Sequence, residues 1–385
     1  MNFQLTEQQR QLVDSVHDIH RRKLHELCKD DSGEGIARLR REMADHGLLG
    51  LNLPEPLGGV GLSLLDTVLL IQNLQACSST LGALSHRSST GAVGAIVELG
   101  TDEQKRRFVG RVCQGEIGIG IGITEPEAGS AATALRTSAR IDGDHVVING
   151  KKQFVSFVNH NHFTVVYCRF GDSGSPKDIG AVIVPHDAPG FSHSRGTLNM
   201  ADELLFELYF DDCRVPRENI LADGNAFGRL ISVYNAERLG SIARMLGSAQ
   251  ASYGMAVEYS KTRRQFNREI SDFQGIQWML ADMRVKLEAA QLLTYRAAAG
   301  AGEHGLPVPF ETSIAKVYTA QAAKEICDDA IQIHGANGYT KEYPLAHRYA
   351  EVRGGSIYGG TLQIHKNMIA SVILDRPLSQ WKKSR

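Results

Sequence analysis

The sequence predicts an α+β protein built, in order, as a helical domain, an antiparallel β domain and a helical bundle. Three observations predict it. Apolar residues recur at three- and four-residue steps from Leu5 to about Val112, β-rich runs with hairpin signals follow from about Ile117 to Asn219, and the helical period returns after about Gly224. A chain of 385 residues has room for two or three domains at roughly 100–200 residues each. The expected divisions are 1–115, 116–222 and 223–385.

In the first segment Leu64, Val68, Leu69 and Ile71 mark a helix, and Pro54, Pro56, Gly58 and Gly59 break the chain before it. The run TDEQKRRF opens another helix, with Thr101 as its cap, acids in the first turn and bases later. In the second segment SARIDGDHVVINGKKQFVSF carries β-rich runs interrupted by Asp142-Gly143 and Asn149-Gly150, both hairpin signals. FTVVYCRF, IGAVIVP and LLFELYFDDCRVP add three short strands. In the third, GIQWMLADMRVKLEAAQLL places Ile276, Met279, Leu280, Met283 and Leu287 on one helix face, and helices of this length with short connections imply a bundle.

Composition narrows the function. With 42 Lys+Arg against 43 Asp+Glu, the chain has no electrostatic footprint for nucleic acid or an anionic membrane. No apolar run approaches the roughly 18 residues of a membrane span, and the polar start MNFQLTEQQRQLVDSVHDIH has no secretory core. A soluble, cytoplasmic protein is expected. Cys28, Cys77, Cys113, Cys168, Cys213 and Cys327 are scattered without a CxxC pair, as reduced thiols are. His17 and His20, and His160 and His162, lack a Cys or carboxylate at ligand spacing; they read as surface histidines, and no metal site is expected.

Five segments, GITEPEAGSAA, INGKKQFVSF, KTRRQFNREISDFQGIQ, IQIHGANGYTKEYP and IYGGT, occur in the order and spacing of the motifs of the acyl-CoA dehydrogenase family. The chain resembles that family over nearly its whole length. The resemblance implies an N-terminal helical domain, a central antiparallel β-barrel and a C-terminal four-helix bundle, with FAD held between the last two. It implies that Arg263 meets the cofactor's diphosphate, as the planar fork of a guanidinium suits, with Phe266 and Gln274 beside it. Gln332 and Gly335 match the adenine-side loop that a neighbouring subunit supplies, so a homotetramer is implied. Thr361 and Gln363 match positions near ribose and adenine. Thr124 and Ser156 match hydrogen-bonding partners of the flavin ring, Ser156 standing for a commoner Thr, and Phe154 stands where Trp is frequent. Ser130 matches a contact to the pantetheine arm, although Ala131 replaces a usual Asp and Ala336 a usual Gly. Arg238, Tyr358 and Gly360 fall at substrate-side positions.

The activity implied is removal of the α-proton of an acyl thioester by a carboxylate while the β-hydrogen leaves as hydride to the flavin. The thioester oxygen then needs donors aimed at it, and the backbone N–H at Gly359 matches one of them. Most of the family carries its base at position 359, where a glycine cannot serve. Branches similar to the long-chain and isovaleryl enzymes take a glutamate from a Glu-Arg dipeptide on the first long C-terminal helix, which VYNAERLGSIARM offers as Glu237-Arg238. No acid-base partner for Glu237 stands at i+4, where Ser241 lies. A carboxylate beside flavin and thioester, with water expelled, is expected to have a raised pKa.

Two alternatives stay open. AGSAA, YNAER and FQGIQWMLADM also resemble a branch that removes sulfinate from an acyl thioester without a base, and the glutamate at 237 separates the two chemistries. A flavin-binding homologue without turnover is the other; Arg263, Gln274, Thr361 and Glu237 speak against it. For the acyl group, Arg87 in SHRSSTG falls at the pocket-bottom position, and a similar Arg-Ser segment in the glutaryl-CoA branch meets a distal carboxylate. Arg87 therefore points to a short acyl chain ending in an anion, or else pairs with a protein carboxylate. The thioester carrier, CoA or a carrier protein, is not distinguished. An electron-transfer flavoprotein or another acceptor is the expected redox partner.

Overall fold

The structure is a computed structural model that describes residues 4–302 and 305–378. Six α-helices come first: α1 (Glu7–Ile19), α2 (Gly33–Asp45), α3 (Leu64–Cys77), α4 (Ser79–Ser89), α5 (Gly91–Leu99) and α6 (Asp102–Cys113). Nine strands follow: β1 (Ile119–Gly122), β2 (Ser138–Asp142), β3 (His145–Ser156), β4 (Phe163–Arg169), β5 (Ile179–Pro185), β6 (Phe191–His193), β7 (Thr197–Leu198), β8 (Leu204–Pro216) and β9 (Ile220–Ala222). The 36-residue helix α7 (Phe227–Thr262) leads through the hairpin β10 (Arg264–Gln265) and β11 (Arg268–Glu269) to α8 (Gln274–Ala299), α9 (Pro309–His334), α10 (Ala336–Tyr339), α11 (Leu345–Gly354) and α12 (Leu362–Ile373). The chain divides into two compact units. One holds Met1–Val13, Leu64–Ser79 and Arg238–Arg385; the other holds Asp14–Ser63 and Thr80–Glu237.

The unit of Asp14–Ser63 and Thr80–Glu237 is organised by a sheet of order β6-β8-β3-β2-β4-β5-β9, with β1 on β4 and β7 on β8. Its central strands are apolar throughout because both faces are covered. On β4 and β5, Val165, Tyr167, Ala181 and Ile183 pack with Val93 and Ile96 of α5 and Phe108 and Val112 of α6. The alternate positions Val166, Cys168, Val182 and Val184 join Val146, Ile148, Leu208 and Phe210 of β3 and β8. Helix α6 begins as expected, and with a complete capping box: Thr101 Oγ1 accepts from Gln104 N while Gln104 Oε1 accepts from Thr101 N.

Four expectations need correction. Asp142-Gly143 does open the β2–β3 hairpin, with Asp142 paired to His145 and Gly143 at φ +59°. Asn149-Gly150 does not turn the chain. It forms a bulge inside β3, because the Asn149 side chain brackets Asp212 of β8 (Nδ2 to Oδ1, and Asp212 N to Oδ1, both 2.9 Å) and keeps the pairing running. LLFELYFDDCRVP, read as short, is a 13-residue strand. The sheet is not purely antiparallel: β1 runs parallel to β4, from Ile119↔Phe163 to Gly122↔Val166, because the β2–β3 excursion between them returns the chain in the same direction. His160, read as a surface histidine, is half-buried, and so are His17 and His20.

In the other unit, helices α3, α8, α9, α11 and α12 and the part of α7 from Arg238 onward bury small and apolar residues. Leu239, Ile242, Ala243 and Leu246 on α7 and Ala315, Thr319, Ala323 and Ile326 on α9 recur at three- to four-residue steps. On α8, Met283 and Leu287 are buried as the pattern requires. Buried polar groups are tied together: Tyr295 Oη donates to Gln72 Oε1 at 2.8 Å, and Gln75 Nε2 reaches Ser248 and Glu351. All six cysteines are free thiols.

Candidate active site

Helix α4 is unusually polar for a buried element. Ser85, His86, Ser88 and Ser89 are all buried, and Ser88 and Ser89 persist there because their hydroxyls bond to backbone. Ser88 and Ser89 donate to Ser85 O, and they accept from Gly50 N and Leu51 N. The two side chains one turn apart at 86 and 90 face Glu237. His86 Nε2 lies 3.1 Å from Glu237 Oε2 and 3.0 Å from Glu237 O, so this nitrogen carries the proton and donates. Thr90 Oγ1 is 2.8 Å from the same Oε2 and 3.1 Å from His86 O; its single proton has the shorter path to the carboxylate. Gly91, at φ +59°, closes the corner: a Cβ there would come within 2.5 Å of Glu237 Oε2.

The electrostatics of Glu237 reverse the expectation of a raised pKa. Burial by itself does raise the carboxyl, whose side chain is 19% exposed. The attraction and hydrogen bond of His86, the hydrogen bond of Thr90 and the charge of Arg87 outweigh it and bring the group down to about 2. The partners of Glu237 come from α4 and from Thr90 just after it, not from its own helix, so reading helix neighbours alone could not find them. His86 stands directly beside the Arg87 that the sequence does single out. The signal available was a run of His and Ser inside, and Thr at the end of, a helix otherwise fit for burial.

Arg87 donates through Nη1 to Ser156 Oγ at 2.9 Å, and its guanidinium carbon lies 4.4 Å from the centre of the Phe157 ring. Ser156 ends β3, and Phe154, just before it, sits at a second bulge with φ 57° and 64% of its surface exposed. Thr124 is held next to them because Gln153 N donates to Thr124 O at 2.9 Å. Beneath this ledge Lys152 and Glu125 form a buried ion pair of 2.6 Å, and Glu125 also accepts from the backbone N–H groups of Arg136 and Thr137. An exposed aromatic face with two hydroxyl-bearing residues at its edge suits a flat, hydrogen-bonding heteroaromatic ring such as a flavin. Ser130 is exposed in the loop before β2.

The remaining residues belong to the other unit. Gly359 and Gly360 have φ of +70° and +96°, a conformation glycine adopts without strain. The Gly359 carbonyl accepts from Arg238 Nε at 2.9 Å and faces His365 Nε2 at 3.1 Å, while His365 Nδ1 faces Ser313 Oγ at 3.0 Å. Burial is the main reason His365 is lowered to about 4, with the Arg238 charge adding to it. The ammonium of fully buried Lys316 lies 4.9 Å from the ring centre of Tyr358 and would be 3.6 Å from a Cβ at Gly359. Thr361 caps α12 by accepting from Ile364 N, and Gln363 is exposed on its first turn. Neither His365 nor Lys316 was anticipated, since a single His or Lys on a helix carries no signal by itself.

Arg263, Phe266 and Gln274 cluster around the β10–β11 hairpin. Phe266 and Asn267 both have positive φ, 51° and 62°, as a type I′ turn requires. That turn holds Phe266 88% exposed and 6.1 Å from Phe273, centre to centre. Arg263 and Gln274 are exposed, as are Gln332 and Gly335 at the end of α9. An exposed guanidinium beside an exposed aromatic ring fits the diphosphate and ring system of a dinucleotide.

Family models for acyl-CoA dehydrogenase N-terminal, middle and C-terminal domains match residues 6–116, 120–213 and 227–374. The chain is 36% identical over 390 aligned positions to the 3-sulfinopropanoyl-CoA desulfinase of Paraburkholderia xenovorans, covering 99% of this chain and 100% of the relative. It is 32% identical over 353 positions to the caffeyl-CoA reductase-Etf complex subunit CarC of Acetobacterium woodii, covering 90% and 92%. The structure of the glutaryl-coenzyme A dehydrogenase glutaryl-CoA complex aligns with a TM-score of 0.91 at 29% identity, over 97% of each chain. A glutaryl-CoA dehydrogenase from Mycobacterium smegmatis in complex with FADH2 aligns at 0.88 and 25% identity, over 98% of this chain and 97% of that one.

Proposed function

Since the chain belongs to the acyl-CoA dehydrogenase family, we propose that it is an FAD-dependent enzyme that introduces an α,β double bond into an acyl thioester. The observation that carries this reading is the Glu237 carboxylate, ionised and held by His86 and Thr90. Bound FAD supplies the acceptor for the hydride that leaves the β-carbon. Glu237 takes the α-proton onto a carboxylate oxygen, so the thioester loses one proton and one hydride and gains a C=C bond. A carboxylate at about 2 is a weak base. The bonds from His86 and Thr90 must therefore loosen as the proton arrives, and expulsion of water by the thioester strengthens the base at that moment. The Gly359 N–H donates to the thioester oxygen as negative charge grows there. Arg238 and His365 hold the Gly359 carbonyl and so keep this residue in its positive-φ conformation.

Thr124, Phe154 and Ser156 would hold the flavin ring, Arg263, Phe266 and Gln274 the diphosphate side, and Thr361 and Gln363 the ribose and adenine. Gln332 and Gly335 would serve a neighbouring subunit, and Ser130, Arg238, Tyr358 and Gly360 the thioester. A homotetramer is supported by Trp278, Val285 and Leu292, spaced seven apart on α8 and 62%, 67% and 44% exposed. Six free thiols support a reducing, cytoplasmic setting, and among the described residues no helix is long and apolar enough to cross a membrane. The similarity to an Etf-complex subunit supports an electron-transfer flavoprotein as acceptor. Arg87 supports a short acyl group with a distal anion, on CoA or a carrier protein.

Desulfination is the second reading, favoured by the 36% identity to a 3-sulfinopropanoyl-CoA desulfinase over the whole chain. A base-free elimination has no use for a carboxylate secured by two donors, which is why dehydrogenation is preferred. The test is anaerobic stopped-flow mixing of the flavin-loaded protein with acyl-CoAs. Bleaching of the flavin by a saturated thioester supports dehydrogenation. Sulfite release from 3-sulfinopropanoyl-CoA without bleaching supports the alternative.

A further inference from the structure

Two glycines in tandem, Gly359 and Gly360, give the backbone little resistance to rotation. A backbone donor that serves a growing oxyanion must nevertheless keep one direction. The fixing comes from side chains of the same unit. The Gly359 carbonyl accepts from Arg238 Nε of α7 at 2.9 Å and faces His365 Nε2 of α12 at 3.1 Å. The ring comes this close because position 360 has no side chain: a Cβ there would stand 3.1 Å from His365 Nε2. Among the described residues none accepts from the Gly359 N–H, so the carbonyl of this residue is held while its donor stays available to a ligand.

His365 is fully buried, and so is Ser313 of α9, which lies on the far side of the ring from Gly359. A carbonyl oxygen only accepts, so His365 Nε2 carries the ring proton and Nδ1 presents a lone pair. Ser313 Oγ, 3.0 Å from Nδ1, therefore donates to it. The same hydroxyl has Met368 Sδ at 3.7 Å, but a thioether at that distance competes poorly with a ring nitrogen at 3.0 Å. Burial, then the Arg238 charge and the Lys316 charge, disfavour a second proton on the ring, against the bond to the Gly359 carbonyl. In the opposite tautomer a bare Nε2 would face the carbonyl oxygen, lone pair against lone pair, and the peptide would swing away. We propose that Ser313 and His365 form a positioning relay, in which the serine hydroxyl fixes the ring tautomer and the ring fixes the residue that carries the Gly359 N–H. The relay deepens the thioester reading above and rests on it. Its effect belongs where negative charge grows on the thioester oxygen, not where an uncharged thioester merely binds.

The probe is acetoacetyl-CoA, whose α-carbon loses a proton to give an enolate with its own absorbance and with charge on the thioester oxygen. Enolate absorbance is followed against pH with the probe bound to the flavin-loaded protein. The affinity of crotonyl-CoA, an uncharged thioester that already carries the double bond, is measured by titration calorimetry. The native protein is expected to lower the probe's pKa below its value in water. Ser313→Ala is expected to raise the bound value by about one pH unit and to change crotonyl-CoA affinity less than about twofold. If the alanine variant does not fold, Ser313→Cys, nearly the same in shape but a feeble donor, carries the same test with the same expected direction. In a His365→Leu background Ser313→Ala should add no further shift, because the serine then has no ring to hold. A native value in the Ser313 variant, an equal loss of crotonyl-CoA affinity, or a full additional shift beside His365→Leu overturns the relay and leaves the thioester reading standing. A native protein that leaves the probe's pKa at its value in water removes the Gly359 donor from the reaction, and the relay falls with it. One that binds neither thioester sinks the thioester reading itself.

Discussion

His86→Leu is the most informative single change. In the native protein the Glu237 carboxyl lies at about 2 against an ordinary 4.5, a displacement worth about 3 kcal/mol between its two protonation states. Burial pushes upward, so the downward pull of His86, Thr90 and Arg87 together exceeds that figure. Leucine removes the largest of these pulls and one hydrogen bond, and leaves burial opposed by Thr90 and Arg87 alone. The carboxyl is then expected to rise by at least about two pH units, toward or above the ordinary value. Flavin reduction by substrate, followed by anaerobic stopped flow, is expected to be level from about pH 5 to 8 in the native enzyme. In His86→Leu it should acquire an acid limb near pH 5. His86→Gln, which restores an N–H donor but no charge, should fall between them. Stability gives a second readout with a defined sign. A depressed carboxyl stabilises the fold above pH 4.5, and that contribution is lost as pH falls toward about 2. In His86→Leu, with the carboxyl at or above its ordinary value, that contribution is absent and the loss of stability between about pH 4.5 and 2 is shallower, read as flavin release during acid titration. A leucine variant with the native pH profile in both assays would refute the assignment of His86 as the group that sets Glu237.

Glu237→Gln should retain flavin and thioester binding but lose roughly two to four powers of ten in flavin reduction. Adding Gly359→Glu should restore only part of the rate, because a non-glycine residue at φ +70° is strained and the new carboxylate would lie against Lys316. Gly91→Ala, with φ +59° and a methyl 2.5 Å from Glu237 Oε2, should slow reduction without changing thioester affinity, a split visible in kcat against KM. Arg87→Met should raise KM for dicarboxylyl thioesters by one or two orders of magnitude, about 1.5–3 kcal/mol, and spare a neutral acyl-CoA of equal length. Lys152→Met leaves Glu125 buried without its partner, and should cost about 3–5 kcal/mol in denaturant titration and lower the flavin content.

What the sequence determined by itself was whatever is local or repeats along the chain. The helix–strand–helix order follows from apolar periodicity, the α6 start from Thr101 with acids in the first turn, and the β2–β3 turn from Asp142-Gly143. The candidate base was nameable too, through the family resemblance, which points from the glycine at 359 to the Glu-Arg dipeptide at 237. Tertiary structure alone decided how the Glu237 carboxylate is held and charged. His86 and Thr90 reach Glu237 across 151 and 147 residues, and Arg40 reaches His160 across 120. No periodicity encodes contacts between side chains so far apart. The same cause explains the misread signals. Asn149-Gly150 has the composition of a turn, but its bonds to Asp212 of β8 keep it within a strand. Burial beside Glu237 does raise a carboxyl, but donors delivered by another helix lower it further than burial can raise it.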